Sequence, residues 1–130
     1  MNKTIRWGIL SAANIAHKFA NSNALVHGSE IIAVAARTLA KAQKFAAMYK
    51  IPKAYGSYQE LLQDTDIDAV YIATIHPNHT EWVKAALLAG KAVLCEKPLG
   101  MNAEQTKECA SLAQEKGVFL MEGIWTPFLP

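Results

Sequence analysis

At 130 residues, 52% hydrophobic and 18% charged, the chain can bury the core of one globular domain and is not a disordered polymer. A formal charge of +2 with no Lys/Arg block argues against nucleic acid or an anionic membrane surface as partner. No apolar run approaches the roughly 18 residues of a membrane span, Met1-Asn2-Lys3-Thr4 leads into a strand-like run without a signal-peptide core, and Cys95 and Cys109 suit neither a disulfide scaffold nor a thiol metal site. The expectation is a cytoplasmic, soluble protein with no metal.

Short β-branched runs alternate with amphipathic segments. Ile5–Leu10 reads as a first strand, and a helix from about Asn14 would place Ile15, Phe19, Ser22 and Val26 on one face. Ile31–Ala36 is continuously apolar, as in a strand covered on both faces. Thr38 is suited to cap the next helix, whose inward face is Ala42, Phe45, Ala46 and Tyr49, with Pro52 just beyond its end. A short strand at Ala54-Tyr55 and a helix around Tyr58–Leu62 follow. Ala69–Ala73 is the fourth strand, and Trp82, Val83, Ala86 and Leu87 form one face of a helix ending at Gly90. Ala92–Cys95, a helix over Ala103–Lys116 and a sixth strand at Val118–Met121 complete the series. This rhythm predicts an α/β protein with a doubly wound, parallel, Rossmann-type sheet.

A dinucleotide-binding turn after the first strand has the pattern G-x-G-x-x-G/A. The aligned stretch is Ser11-Ala12-Ala13-Asn14-Ile15-Ala16, in which only Ala16 fits. A methyl at Ala13 would crowd a pyrophosphate and penalise any positive φ there, while the Ser11 hydroxyl can donate to a phosphate oxygen. The N–H groups at the helix start, through Ile15, offer an anion site whatever the side chains. The second strand ends in Ala36-Arg37-Thr38, with no carboxylate for a ribose 2′-hydroxyl. Arg37, Thr38 and Lys41 suit a 2′-phosphate, so NADP is expected over NAD; the plain alternative for Arg37 is a solvated strand end.

The fifth strand ends in Glu96-Lys97-Pro98, a charged pair at the sheet edge where ligands bind in α/β folds. Lys97 is the candidate catalytic residue, because a lysine in a partly closed cleft can exchange protons near neutrality. Glu96 either opposes that shift or faces the cofactor ribose, and a surface lysine is the bland alternative. His76 and His79 flank Pro77-Asn78, and His79 is equally a simple helix-start residue. Cys95 reads as a packed thiol, Asp64, Asp66 and Asp68 as solvated loop residues, and Trp82 and Phe45 as core.

Glu96-Lys97-Pro98, with Trp7-Gly8-Ile9-Leu10-Ser11, His76-Pro77 and Met121-Glu122-Gly123-Ile124-Trp125-Thr126, resembles the glucose–fructose oxidoreductase/inositol dehydrogenase/MocA family, in particular its dihydrodiol/xylose dehydrogenase branch. The resemblance implies hydride transfer between a nicotinamide dinucleotide and a secondary alcohol of a sugar, cyclitol or cyclic diol. It also implies that Thr74, Pro77 and His79 pass near the nicotinamide-side ribose, and that Lys97 helps bind substrate. The principal acid/base residue and the small polyol or diol substrate belong to a second domain. The expected organisation is a nucleotide-binding domain over 1–122, with 123–130 starting the connection to a domain not in this chain. The alternative for the apolar tail is folding back on its own core. Alone, the chain is expected to bind cofactor without turnover. Self-association into a homo-oligomer is left open. The competing reading is a non-catalytic nucleotide-binding or assembly module with a weakened phosphate loop.

Overall fold

The computed structural model describes residues 4–73, 79–96 and 103–123. Among the described residues, six strands alternate with five helices: β1 (Ile5–Leu10), α1 (Asn14–Asn23), β2 (Ser29–Ala35), α2 (Leu39–Tyr49), β3 (Lys53–Tyr55), α3 (Tyr58–Leu62), β4 (Ala69–Ile72), α4 (His79–Leu88), β5 (Ala92–Glu96), α5 (Ala103–Lys116) and β6 (Leu120–Gly123). All strand pairs are parallel, in the order β3-β2-β1-β4-β5-β6. The order reverses between β1 and β4, which opens a crevice at their carboxyl ends.

Alternation along the strands divides the core into two layers. Ile9, Val34 and Tyr71 face Ala16 and Ala20 of α1 and Ala42, Phe45 and Ala46 of α2. Leu10, Ala33, Ala35, Val70 and Ile72 face Leu61 and Leu62 of α3, Val83 and Leu87 of α4, and Cys109 and Ala113 of α5. Every residue of β4 is buried, which explains its unbroken apolar sequence. Gly8 is where α3 comes closest to the sheet: a Cβ there would lie 2.7 Å from a methyl of Leu61. Cys95 is fully buried, as a packed thiol should be.

Three expectations change. The α1 stripe stops short, because the helix ends at Asn23 and leaves Val26 outside it and 54% exposed. The sixth strand starts two residues later than its sequence suggests. Val118 spends its N–H on the carbonyl of Ala113 in ending α5, and the ladder to β5 starts when Val93 N–H donates to the Phe119 carbonyl. The aspartates before β4 are also not uniformly solvated, since the Asp64 side chain is only 7% exposed.

Candidate functional site

The ladder registers align the carboxyl ends of the strands. Leu10 pairs with Ala35 and Ile72, Ala35 with Tyr55, Ile72 with Cys95, and Glu96 with Gly123. The residues that follow each strand therefore emerge along one edge: Ser11–Ile15, Arg37-Thr38 and Gly56–Gln59, with Glu96 as the last residue of β5. His79 is the first residue of α4, the helix after β4. Thr74, Pro77 and Lys97, all expected in the site, lie outside the described residues, as do His76 and Pro98.

The turn after β1 is pinned by backbone. Ser11 N–H donates to the Ala35 carbonyl at 2.8 Å, and Ala73 N–H donates to the Leu10 carbonyl at 3.0 Å. Ser11 takes a positive φ of 88°, whereas Ala13 is extended at φ −75°, ψ 167°. The conformational penalty expected at Ala13 therefore falls on Ser11, two residues earlier. The reason is the direction change itself: the chain turns out of the sheet immediately after Leu10 and is already extended when it enters α1.

Capping distinguishes the helices along this edge. Thr38 accepts the N–H of Lys41 to cap α2, and Ser57 accepts that of Glu60 to cap α3. Ala13 provides no side-chain cap for α1, and the first turn of α1 carries no acidic residue. The N–H groups at its start are oriented toward the crevice edge with the positive end of the helix dipole behind them. That chemistry fits a pyrophosphate. Thr38 accepts with its oxygen, which leaves its hydroxyl hydrogen to donate, and Arg37 and Lys41 are both exposed beside it.

A pocket of about 400 Å³ opens next to Arg37, lined by Ala36, Gly56, Ser57, Tyr58, Gln59, Glu81 and Trp82. Tyr58 and Trp82 meet edge to face, with ring centroids 5.0 Å apart and planes at 87°. Trp82 thus does double duty, packing on the core and walling the pocket. The pocket thus brings together two aromatic rings, the Arg37 cation and the Glu81 carboxylate. Sequence reading missed Tyr58, Glu81 and Trp82 here. The available signal was that Gly56-Ser57 directly follows a strand end, the position that carries Arg37 one strand over.

Behind this wall lies a polar cluster that sequence reading also missed. Asp64 accepts from Lys53 Nζ at 2.9 Å, from the Tyr55 hydroxyl at 2.7 Å and from the N–H of Asp66 at 2.9 Å. Burial alone would raise its carboxyl, but the hydrogen bonds from Tyr55, Lys53 and Asp66 and the charge of Lys53 outweigh it and lower it to about 2. Lys91, 5% exposed, donates to the carbonyls of Asp64 at 2.8 Å and Ile67 at 3.0 Å. Burial lowers its ammonium from the ordinary value, against the attraction of Asp64 and Asp68. Asp68 accepts from the backbone N–H and the guanidinium of Arg6.

Residues 5–124 match a family model described as an oxidoreductase family with an NAD-binding Rossmann fold. The chain is 51% identical over 128 residues to mouse trans-1,2-dihydrobenzene-1,2-diol dehydrogenase, an alignment covering 97% of this chain and 38% of that enzyme. The fold superposes with a TM-score of 0.90 on a 3-ketoreductase from Actinomadura kijaniata in complex with NADP and TDP-benzene, at 34% identity, covering 93% of this chain and 37% of that one. A biliverdin reductase from Synechocystis, in complex with biliverdin and NADP+, gives a TM-score of 0.85 at 32% identity, covering 92% and 38%. The chain thus spans little more than a third of the length of these relatives. Fold and strand order agree with the match over residues 5–124: the chain belongs to the glucose–fructose oxidoreductase/inositol dehydrogenase/MocA oxidoreductase family and comprises its NAD-binding Rossmann fold.

Proposed function

We propose that this chain is the cofactor-holding part of an NADP-dependent oxidoreductase acting on a secondary alcohol of a sugar, cyclitol or cyclic diol. The observation that carries the reading is the uncapped, acid-free start of α1 on the same sheet edge as Arg37. The mouse relative, a diol dehydrogenase, supports the substrate class. The two reductases bound to NADP support the cofactor.

In this reading a bound nicotinamide supplies a carbon that exchanges hydride with the substrate. The protein's own residues do the rest. The N–H groups from Ala12 to Ile15 hold the pyrophosphate, with the Ser11 hydroxyl donating beside them. Arg37, Thr38 and Lys41 take the 2′-phosphate, and Tyr58 and Trp82 pack against the base. By the family resemblance, Thr74, Pro77 and His79 would border the nicotinamide-side ribose, and Glu96 would face the cofactor ribose or stabilise the Lys97 ammonium. Lys97 would help bind the substrate oxygen and tune the relay of the alcohol proton, whose principal acid/base residue belongs to the second domain. Residues 1–122 form the nucleotide-binding domain, and 123–130 lead toward a substrate domain. Two buried thiols, Cys95 and Cys109, suit a reducing cytoplasmic setting.

Titration of the purified chain with NADPH and NADH, followed by calorimetry, tests the reading. NADPH should bind more tightly, and Arg37→Asp should lower NADPH affinity much more than NADH affinity. Equal losses would remove Arg37 from the phosphate site, and no binding of either by folded protein would overturn the cofactor assignment. The positive φ at Ser11 favours one second reading, a non-catalytic nucleotide-binding module of the same fold. It predicts weak binding that does not distinguish the two dinucleotides.

A further inference from the structure

The wall formed by Gly56–Gln59 joins two short elements, and its packing comes from the Ser57 cap, Tyr58 on Trp82 and the buried Leu61 and Leu62. β3 is three residues long, pairs only with β2 at the sheet edge, and leads into α3, which has five residues. Few ladder bonds and barely more than one helical turn do not by themselves hold a segment in one place. A further restraint comes from Asp64, at the far end of α3 from the pocket. A single oxygen, Oδ2, accepts from both ends of β3, from Lys53 at 2.9 Å and from the Tyr55 hydroxyl at 2.7 Å. The other oxygen accepts the Asp66 N–H, and the Asp64 carbonyl is gripped by Lys91. The strand, the turn and the helix are thus closed into a loop clasped by the Asp64 carboxylate, with the exposed Asp66 carboxylate also accepting from Lys53 at 3.1 Å. Gly56 directly follows Tyr55, and a Cβ on it would lie 3.3 Å from Leu39 Cβ. The turn therefore sits against the start of α2, one residue from Thr38.

We propose that Asp64 is a positioning residue for the pocket: by tying Lys53 and Tyr55 to the end of α3 it fixes the Gly56–Gln59 wall, and so sets the affinity for the phosphoadenosine end of a dinucleotide. The inference rests on the cofactor reading above. Asp64 touches no part of the pocket itself and acts only through β3 and α3.

Asp64→Ala removes the buried bonds to Lys53 and Tyr55 and leaves Lys53 only the exposed Asp66 carboxylate, while Lys91 and the sheet still hold the backbone of the turn. If the competent arrangement falls to about a tenth of the population, the apparent Kd rises about tenfold. The test uses the 130-residue chain, with Cys109→Ala on α5 as a core-destabilising control away from the pocket. Calorimetry gives the Kd for 2′,5′-ADP, and hydrogen exchange of the unliganded protein reads the amides of residues 56–59. Asp64→Ala should weaken 2′,5′-ADP about tenfold and speed exchange at 56–59. Tyr55→Phe, which removes one of the bonds, should fall between it and wild type. The Cys109→Ala control should change neither by more than about twofold. Unchanged exchange at 56–59 in Asp64→Ala, or faster exchange with unchanged affinity, overturns the inference while leaving the cofactor reading in place. If wild-type protein does not bind 2′,5′-ADP, the cofactor reading fails and this inference falls with it.

Discussion

Replacing Ser11 with glycine should stabilise the protein. Ser11 holds φ at 88°, a region that L side chains enter at a cost of about 1–3 kcal/mol. It cannot relax by rotating away, because its N–H is committed to Ala35 and the preceding carbonyl, that of Leu10, to Ala73. Glycine removes the penalty but makes the unfolded chain more flexible, which costs about 0.5–1 kcal/mol. The side chain is only half-buried, so little packing is lost. The net gain is about 1 kcal/mol, or a rise in Tm of roughly 4 °C for a chain of this size. Ser11→Ala separates backbone from side chain, since it keeps the Cβ and hence the strain while losing only the hydroxyl. Urea unfolding followed by circular dichroism, with equal m-values required across the set, gives the comparison. The expected order is Gly above Ser, with Ala close to Ser. Glycine no more stable than alanine would refute the argument, because relief of strain is the only term that favours one over the other.

Two further outcomes follow from the polar cluster. Lys91→Met keeps the buried stem but removes two charge-assisted bonds to backbone carbonyls, and should cost about 2 kcal/mol in urea unfolding; a stabilised variant would mean that the ammonium's desolvation outweighs its bonds. Asp64 has a carboxyl lowered from 3.8 to about 2, so its contribution is present above pH 4 and lost as pH falls through 2. Asp64→Asn should therefore be less stable than wild type at pH 6, with the gap closing by pH 2. A gap that stays constant over that range would show that the carboxylate's charge is not what stabilises the fold.

The strands were legible because burial on both faces leaves no position for a polar residue. Val70-Tyr71-Ile72 needs no alternation to be recognised, and Thr38 announces the start of α2. Arg37 could be placed on the sheet edge because it lies just past the end of β2, whose neighbours set that edge. What escaped were residues whose environment is assembled from distant segments. Lys91 follows a helix-ending glycine and looks like any solvated turn lysine; only the fold brings the carbonyls of Asp64 and Ile67 to it, 27 and 24 residues away. Asp64 looks like its neighbour Asp66 until Tyr55 closes over it. The positive φ of Ser11 was assigned two residues late, because the glycine pattern says where small residues belong but not which of them carries the turn. Trp82 was read correctly as packing on the sheet, yet a side chain that large has a second surface.

The central place of β1 also governs the order in which the protein can be made. Its first neighbour, β2, is 24 residues away by register, whereas the other, β4, is 62 residues away. A nascent chain can therefore pair β1 with β2, and β2 with β3, once residue 55 has emerged. The other side of β1 then remains an open edge until residue 72 follows. At ordinary synthesis rates that interval lasts roughly one to three seconds. During it the half-sheet exposes ladder groups on an apolar strand to any similar edge nearby. Asp68, which takes the backbone N–H of Arg6 as β4 arrives, is the polar group that closes this gap at its open end.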